Sequence, residues 1–108
     1  MANIDTILKS VEDQSKALAE KLFKQYTHQA VSDVRDFLQK SAGDLKRWVE
    51  ELVRGDLDKD EFESLIKGQA DVAEMRALKQ AGLAATQIDT FTNGVLDIIV
   101  NAAFAAIP

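Results

Sequence analysis

Asp56, Asp58 and Asp60 alternate along one acidic turn, the spacing at which the first, third and fifth ligands of an EF-hand loop hold calcium. The rest of such a loop is missing. Glu61 stands where a Gly makes the sharp turn, and Lys67 stands where a bidentate Glu closes the site, so a cation there repels the metal. The expected role of these carboxylates is to face water and favour a helix N-terminus through the macrodipole. His28 is the one histidine of the chain. Its i−4 and i+4 neighbours are Lys24 and Ser32, which leaves no His–carboxylate pair on one helix face for a metal. Asp33 and Asp36 follow closely, but nothing in the spacing sets a nucleophile, a base and an orienting acid together.

The chain has no Cys, which removes thiolate catalysis, disulfides and zinc–thiolate sites at once. It also lacks the Glu-x-x-His pairs of di-iron bundles. Glu50/Glu51 and Glu61/Glu63 lie beside Arg47, Arg54 and Lys67, as charges on a solvated helix face do. Gly43, Gly55, Gly68, Gly82 and Gly94 are isolated, so no glycine-rich loop cradles a phosphate. Residue types and spacing point to no catalytic, metal-binding or cofactor-binding set. The chain is expected not to be an enzyme.

The distribution of charge carries more. All thirteen Lys and Arg lie between Lys9 and Lys79, and the twenty-nine residues that follow carry only Asp89 and Asp97. A segment so apolar has to be covered by the rest of the chain, a second copy, a partner or a lipid surface. Net charge is −5 and no basic run exceeds Lys46-Arg47, which makes nucleic acid a poor partner, because phosphate binding depends on converging cations. No run approaches the ~20 apolar residues of a membrane span. The opening Met-Ala-Asn-Ile-Asp has neither the basic nor the apolar region of a secretory signal, so a cytoplasmic location is expected.

Length (108 residues) and composition (46% apolar, 29% charged) fit one folded domain spanning 1–108. Apolar or small residues recur at three- or four-residue steps from Ile4 to Val53 and again from Phe62 to Ala106, and no run alternates as a strand would. The predicted class is all-α. The fold-back falls at 55–58, between an N-terminal helical half over 3–54 and a C-terminal helical half over 58–107. Gly55 suits the left-handed residue that follows a helix, and Asp58 with Glu61 makes a capping box ahead of Phe62. The run from Leu52 to Phe62, with Leu65 following, resembles the short helical hairpin of the SHOCT type. In that family an apolar helix end, Gly, an apolar residue, a capping residue and Glu-Phe come in this order. The resemblance implies an oligomerising or packing element. The Trp-x-Gly turn of small WXG-type hairpins is not present, because Val49-Glu50 follow Trp48.

Two arrangements fit the pattern. Four helices over roughly 3–26, 30–54, 58–81 and 86–107 would make an up-down bundle. Two helices of ~50 residues, each ~75 Å long at 1.5 Å per residue, would make an antiparallel hairpin. Either is expected to be completed by oligomerisation. Thr27–Gln29 and Ser41–Asp44 are the weaker joints, and Thr86 with Asp89 reads as a second capping box.

On the last helix Thr86, Thr90, Asn93, Asp97 and Asn101 share an arc of about 80°, a narrow polar strip. Ile88, Phe91, Val95, Ile98, Ile99, Ala102 and Ala106 hold the opposite face and are the expected interface residues. Trp48 shares a stripe with Leu45, Val49 and Leu52 and is expected in the core or at an interface. The expected function is that of a small non-catalytic helical structural or interaction protein. It would act as a homo-oligomer, or as a subunit beside another helical protein, through its C-terminal helix. The alternative is a peripheral membrane-surface role for residues 83–107, against which stands the absence of Lys and Arg for anionic headgroups.

Overall fold

The computed structural model describes residues 4–107, all of whose regular elements are helical. These are α1 (Ile4–Leu22), α2 (Thr27–Arg54), α3 (Lys59–Lys67), α4 (Arg76–Gln80) and α5 (Ala85–Ala105), with 3-10 turns at Lys24–Tyr26 and Gly68–Asp71. The expected helix start at residue 3, and the chain ends at 1–2 and 108, lie outside the described residues. The molecule measures 42 × 22 × 20 Å. That is too short for a helix of ~75 Å. The longest helix is α2, with 28 residues, or ~42 Å at 1.5 Å per residue, and it spans the whole long axis.

The first joint falls before Thr27 rather than at 27–29. Phe23 leaves helical geometry at φ −137°, ψ 56°, and its side chain turns inward to 5% exposure. Its ring meets that of Phe91 edge-on, with centroids 5.4 Å apart. Burying this large ring is favourable enough to interrupt a stripe that otherwise keeps its register. At Ser41–Asp44, by contrast, α2 runs on without a break.

At the end of α2, Gly55 takes the left-handed conformation (φ 83°), and its N–H donates to the Glu51 and Leu52 carbonyls. Asp58 is extended and caps α3. Its Oδ1 accepts the Glu61 N–H at 2.8 Å, while Glu61 Oε1 accepts the Asp58 N–H at 3.0 Å. Two donors that α3 leaves unpaired are thereby satisfied.

The predicted continuous helix over 58–81 is corrected. It stops at Lys67, tightens into a 3-10 turn at Gly68–Asp71, and resumes only as the short α4. On an unbroken helix at about 100° per residue, Met75 and Leu78 would point away from Phe62 and Ile66. The break lets all four face inward, each 3% exposed or less. Apolar bulk decides the matter, since the original stripe continues only as Gln69, Ala70, Ala73, Ala77 and Ala81. Thr86 and Asp89 do not cap α5. That helix begins a residue earlier, and the Ala84 N–H donates to Gln87 Oε1 at 3.1 Å.

The helix α1 packs on α2 and α5, while α3 and α4 each pack on the same two helices from the other side. Leu18 meets Gly94, and Phe23 meets Phe91, so α1 and α5 run antiparallel. A Cβ on Gly94 would lie 2.6 Å from Leu18 Cδ2, so the missing side chain sets how closely these helices approach. The core they enclose includes Val11, Val34, Phe37, Leu45, Phe62, Phe91, Val95 and Leu96, all buried.

Candidate interaction surface

Of the seven expected interface residues, Ile88, Phe91, Val95 and Ile99 are at most 5% exposed within the single chain. The cover for this face is the protein's own α1, α3 and α4, so these four side chains are not available to a partner while the chain is folded. Ile98, Ala102 and Ala106 are half-buried. The polar strip of Thr86, Thr90, Asn93, Asp97 and Asn101 is exposed along its length. Asp97 is engaged there, 3.0 Å from Lys67 Nζ of α3. Its hydrogen bond and charge hold the Lys67 ammonium above the usual lysine range.

Ile98 and Ala102 continue from Gly94 at one-turn intervals, and Gly94 faces Leu18 of α1. On α1, Gln14 and Ser10 continue from Leu18 in the same way, joined by a Gln14 Nε2 to Ser10 Oγ hydrogen bond of 2.8 Å. The outer edge of the seam is formed by Ala17 on α1 and by Asn101 and Ala105 on α5, all exposed. None of these residues is charged, but exposed Asp97, one turn from both Gly94 and Asn101 and paired with Lys67, flanks them. Lys21 bounds the seam at one end. The large apolar side chains that are exposed among the described residues are Leu22 on α1, Val53 on α2 and Val72 in the link before α4.

The α1–α2 side differs. A groove of about 400 Å³ has Leu8, Leu38 and Ala42 on its floor, and Asp5, Lys9, Glu12 and Arg35 among its lining. The Glu12–Arg35 ion pair, at 2.6 Å, divides it from a second groove of about 480 Å³ that holds His28. Thr27, Glu12 and Asp13 share that second groove. The Thr27 hydroxyl is directed at the Phe23 and Lys24 carbonyls (3.5 and 3.4 Å), so it is not presented to His28 as a nucleophile. Asp56 is taken by Arg54 at 3.0 Å and Asp58 by the cap, so two of the three carboxylates of the acidic turn are spent on local contacts. Trp48 is 8% exposed, with the Arg47 guanidinium 5.9 Å from its ring centroid. No group of metal-ligating side chains occurs among the described residues, and no helix there is long and apolar enough to cross a membrane.

Sequence reasoning did not single out Asp33 for the place it takes. It is 5% exposed, and its two carboxylate oxygens accept the N–H groups of Ala77 and Leu78 at 2.9 Å each. The pair lies 44 and 45 residues away on the first turn of α4. A charged residue between apolar neighbours on the inward side of α2 was the one available signal, and it named no partner. Comparison with known proteins finds no matching family model, no matching curated protein and no matching solved structure.

Proposed function

We propose that this chain is a small non-catalytic helical interaction protein of the cytoplasm: an up-down four-helix bundle, its third member broken, that pairs with a second copy along the seam of α1 and α5. The observation that carries the proposal is the small-residue seam around Gly94, whose flanking charges are Lys21 at one end and Asp97, which Lys67 pairs. Two copies of a chain with net charge −5 repel at most relative orientations. A face poor in unpaired charge is where that repulsion is least and where little charge has to be desolvated. Small exposed or half-buried residues (Ala17, Ala102, Ala105) let helix backbones come close there, and Ile98 and Leu18 retain apolar surface to bury. Three of the expected interface residues border this seam or its end; the other four support it from within. The surface chemistry favours association over catalysis, since beside His28 the Thr27 hydroxyl is turned to backbone and Glu12 is paired with Arg35.

Sedimentation equilibrium tests the reading. The weight-average mass is expected to rise from one chain towards two between ~1 μM and ~1 mM, the range of weak, small interfaces. Ala17→Glu combined with Ala105→Glu places like charges on both sides of the seam at exposed positions, and should hold the protein at one chain with its helical signal intact. A parent protein that stays at one chain throughout, or a double variant that associates as the parent does, overturns the assignment.

A further inference from the structure

We propose that residues 68–84 form a strap that opens as one unit while α1, α2, α3 and α5 stay folded, and that the Asp33 carboxylate is its latch. Among the described residues the strap is the longest stretch with no helix of more than five residues. It consists of a 3-10 turn, an extended link, the five-residue α4 and a turn through Gly82 (φ 89°). It packs between α2 and α5, sharing one groove with Phe37 and Lys40 and another with Ile88 and Thr92. Its grip on that space is small: Ala73, Met75 and Leu78 are its buried side chains, and of these only Leu78 is wholly enclosed.

The backbone of the strap bonds almost wholly to itself. Val72 and Ala73 donate to the Gln69 carbonyl, Glu74 to that of Val72, and Ala81 to that of Ala77. Such local bonds survive a movement of the whole segment, so they do not hold it down. Among the described residues, two kinds of tie cross to α2. One is the Lys40–Glu74 ion pair, at 3.8 Å and half exposed. The other is the Asp33 carboxylate, buried, accepting two strap N–H groups at 2.9 Å. A solvent-exposed pair of that length contributes little, whereas charge-assisted bonds out of water are strong and costly to break. The segment is also under tension at the latch. Met75, immediately before α4, sits at φ 50°, the only non-glycine residue with positive φ among those described. That conformation persists only where surroundings impose it, and Asp33 holds the amides two and three residues further on, those of Ala77 and Leu78. A segment with few buried contacts, local bonding and a strained joint is the kind that opens below the global transition. Its opening uncovers Phe37 and Ile88 and turns the closed core into an apolar groove between α2 and α5.

Hydrogen–deuterium exchange of the full-length protein, read peptide by peptide through sub-denaturing urea, tests this. In the parent, amides of 72–83 should exchange faster than those of α1, α2 and α5 and with a weaker dependence on urea. Asp33→Asn, which keeps the shape and removes the charge, should quicken the strap about 10- to 100-fold while leaving α1 and α5 within about 3-fold. Lys40→Gln, which removes only the exposed pair, should change the strap less than about 3-fold. If Asp33→Asn does not fold, the urea dependence of the parent decides alone. Strap amides that share the rate and urea dependence of α5 overturn the proposal. Asp33→Asn quickening every segment alike, or Lys40→Gln matching it, removes Asp33 as the latch.

Discussion

Truncating Ile99 to Ala probes the claim that α5 is covered by its own chain. Ile99 is 2% exposed with no second copy present. The change deletes three carbon atoms from a packed site, at about 0.8 kcal/mol each for transfer alone. The hole they leave adds to that, because the surrounding side chains relax only partly, so the expected loss is about 3–4 kcal/mol. Against the 5–15 kcal/mol that stabilises a typical domain, this lowers the melting temperature by about 12–25 °C. Thermal melts followed by circular dichroism at two concentrations, about a hundredfold apart, read both size and origin. Burial within one chain makes the loss the same at both concentrations; burial between chains would make it larger on dilution. A loss under about 3 °C, or one that grows on dilution, refutes the argument.

Three smaller effects follow from local contacts. Asp58→Ala removes the acceptor for the Glu61 N–H and should cost about 0.5–2 kcal/mol, well short of Ile99→Ala in the same melts. Ser15 and Ser41 are each 1% exposed, and their hydroxyl oxygens have no partner among the described residues. Ser15→Ala and Ser41→Ala, which remove the orphaned group and favour helix, should leave stability unchanged or raise it by about 1 kcal/mol; a clear fall in melting temperature would mean that those oxygens are hydrogen-bonded. The Glu74 carboxyl is held below the usual carboxylate range by its hydrogen bond and charge pairing with Arg76, then by Lys40. Its folded pKa is therefore the lower one. Whatever stability it lends is present above the ordinary carboxylate range and lost as pH falls through the depressed value. Arg76→Ala should move the Glu74 midpoint back up, read by carboxyl-carbon NMR titration; an unmoved midpoint removes the cause.

What the sequence determines by itself here is local. Helical class follows from apolar residues at three- and four-residue steps, because that spacing buries one face of a helix and of nothing else. The end of α2 follows from Gly55, the residue that turns left-handed without strain, and the start of α3 from two side chains three residues apart. The polar strip of α5 was legible for the same reason, since helix geometry alone decides which of its residues share an arc. None of this says what lies opposite. The apolar face of α5 reads identically whether the chain or a copy covers it; the joint at Phe23 and the inward turn of Met75 and Leu78 close the chain over it. These breaks arise where large side chains lie out of register with the local stripe, so burying them outweighs a few helical hydrogen bonds, and only the assembled core sets that balance. Asp33 makes the point most sharply. Its partners are backbone N–H groups, which every residue but Pro carries, so sequence cannot single them out. Only folding brings α4 within 2.9 Å of that carboxylate and turns a buried charge from a cost into a tie.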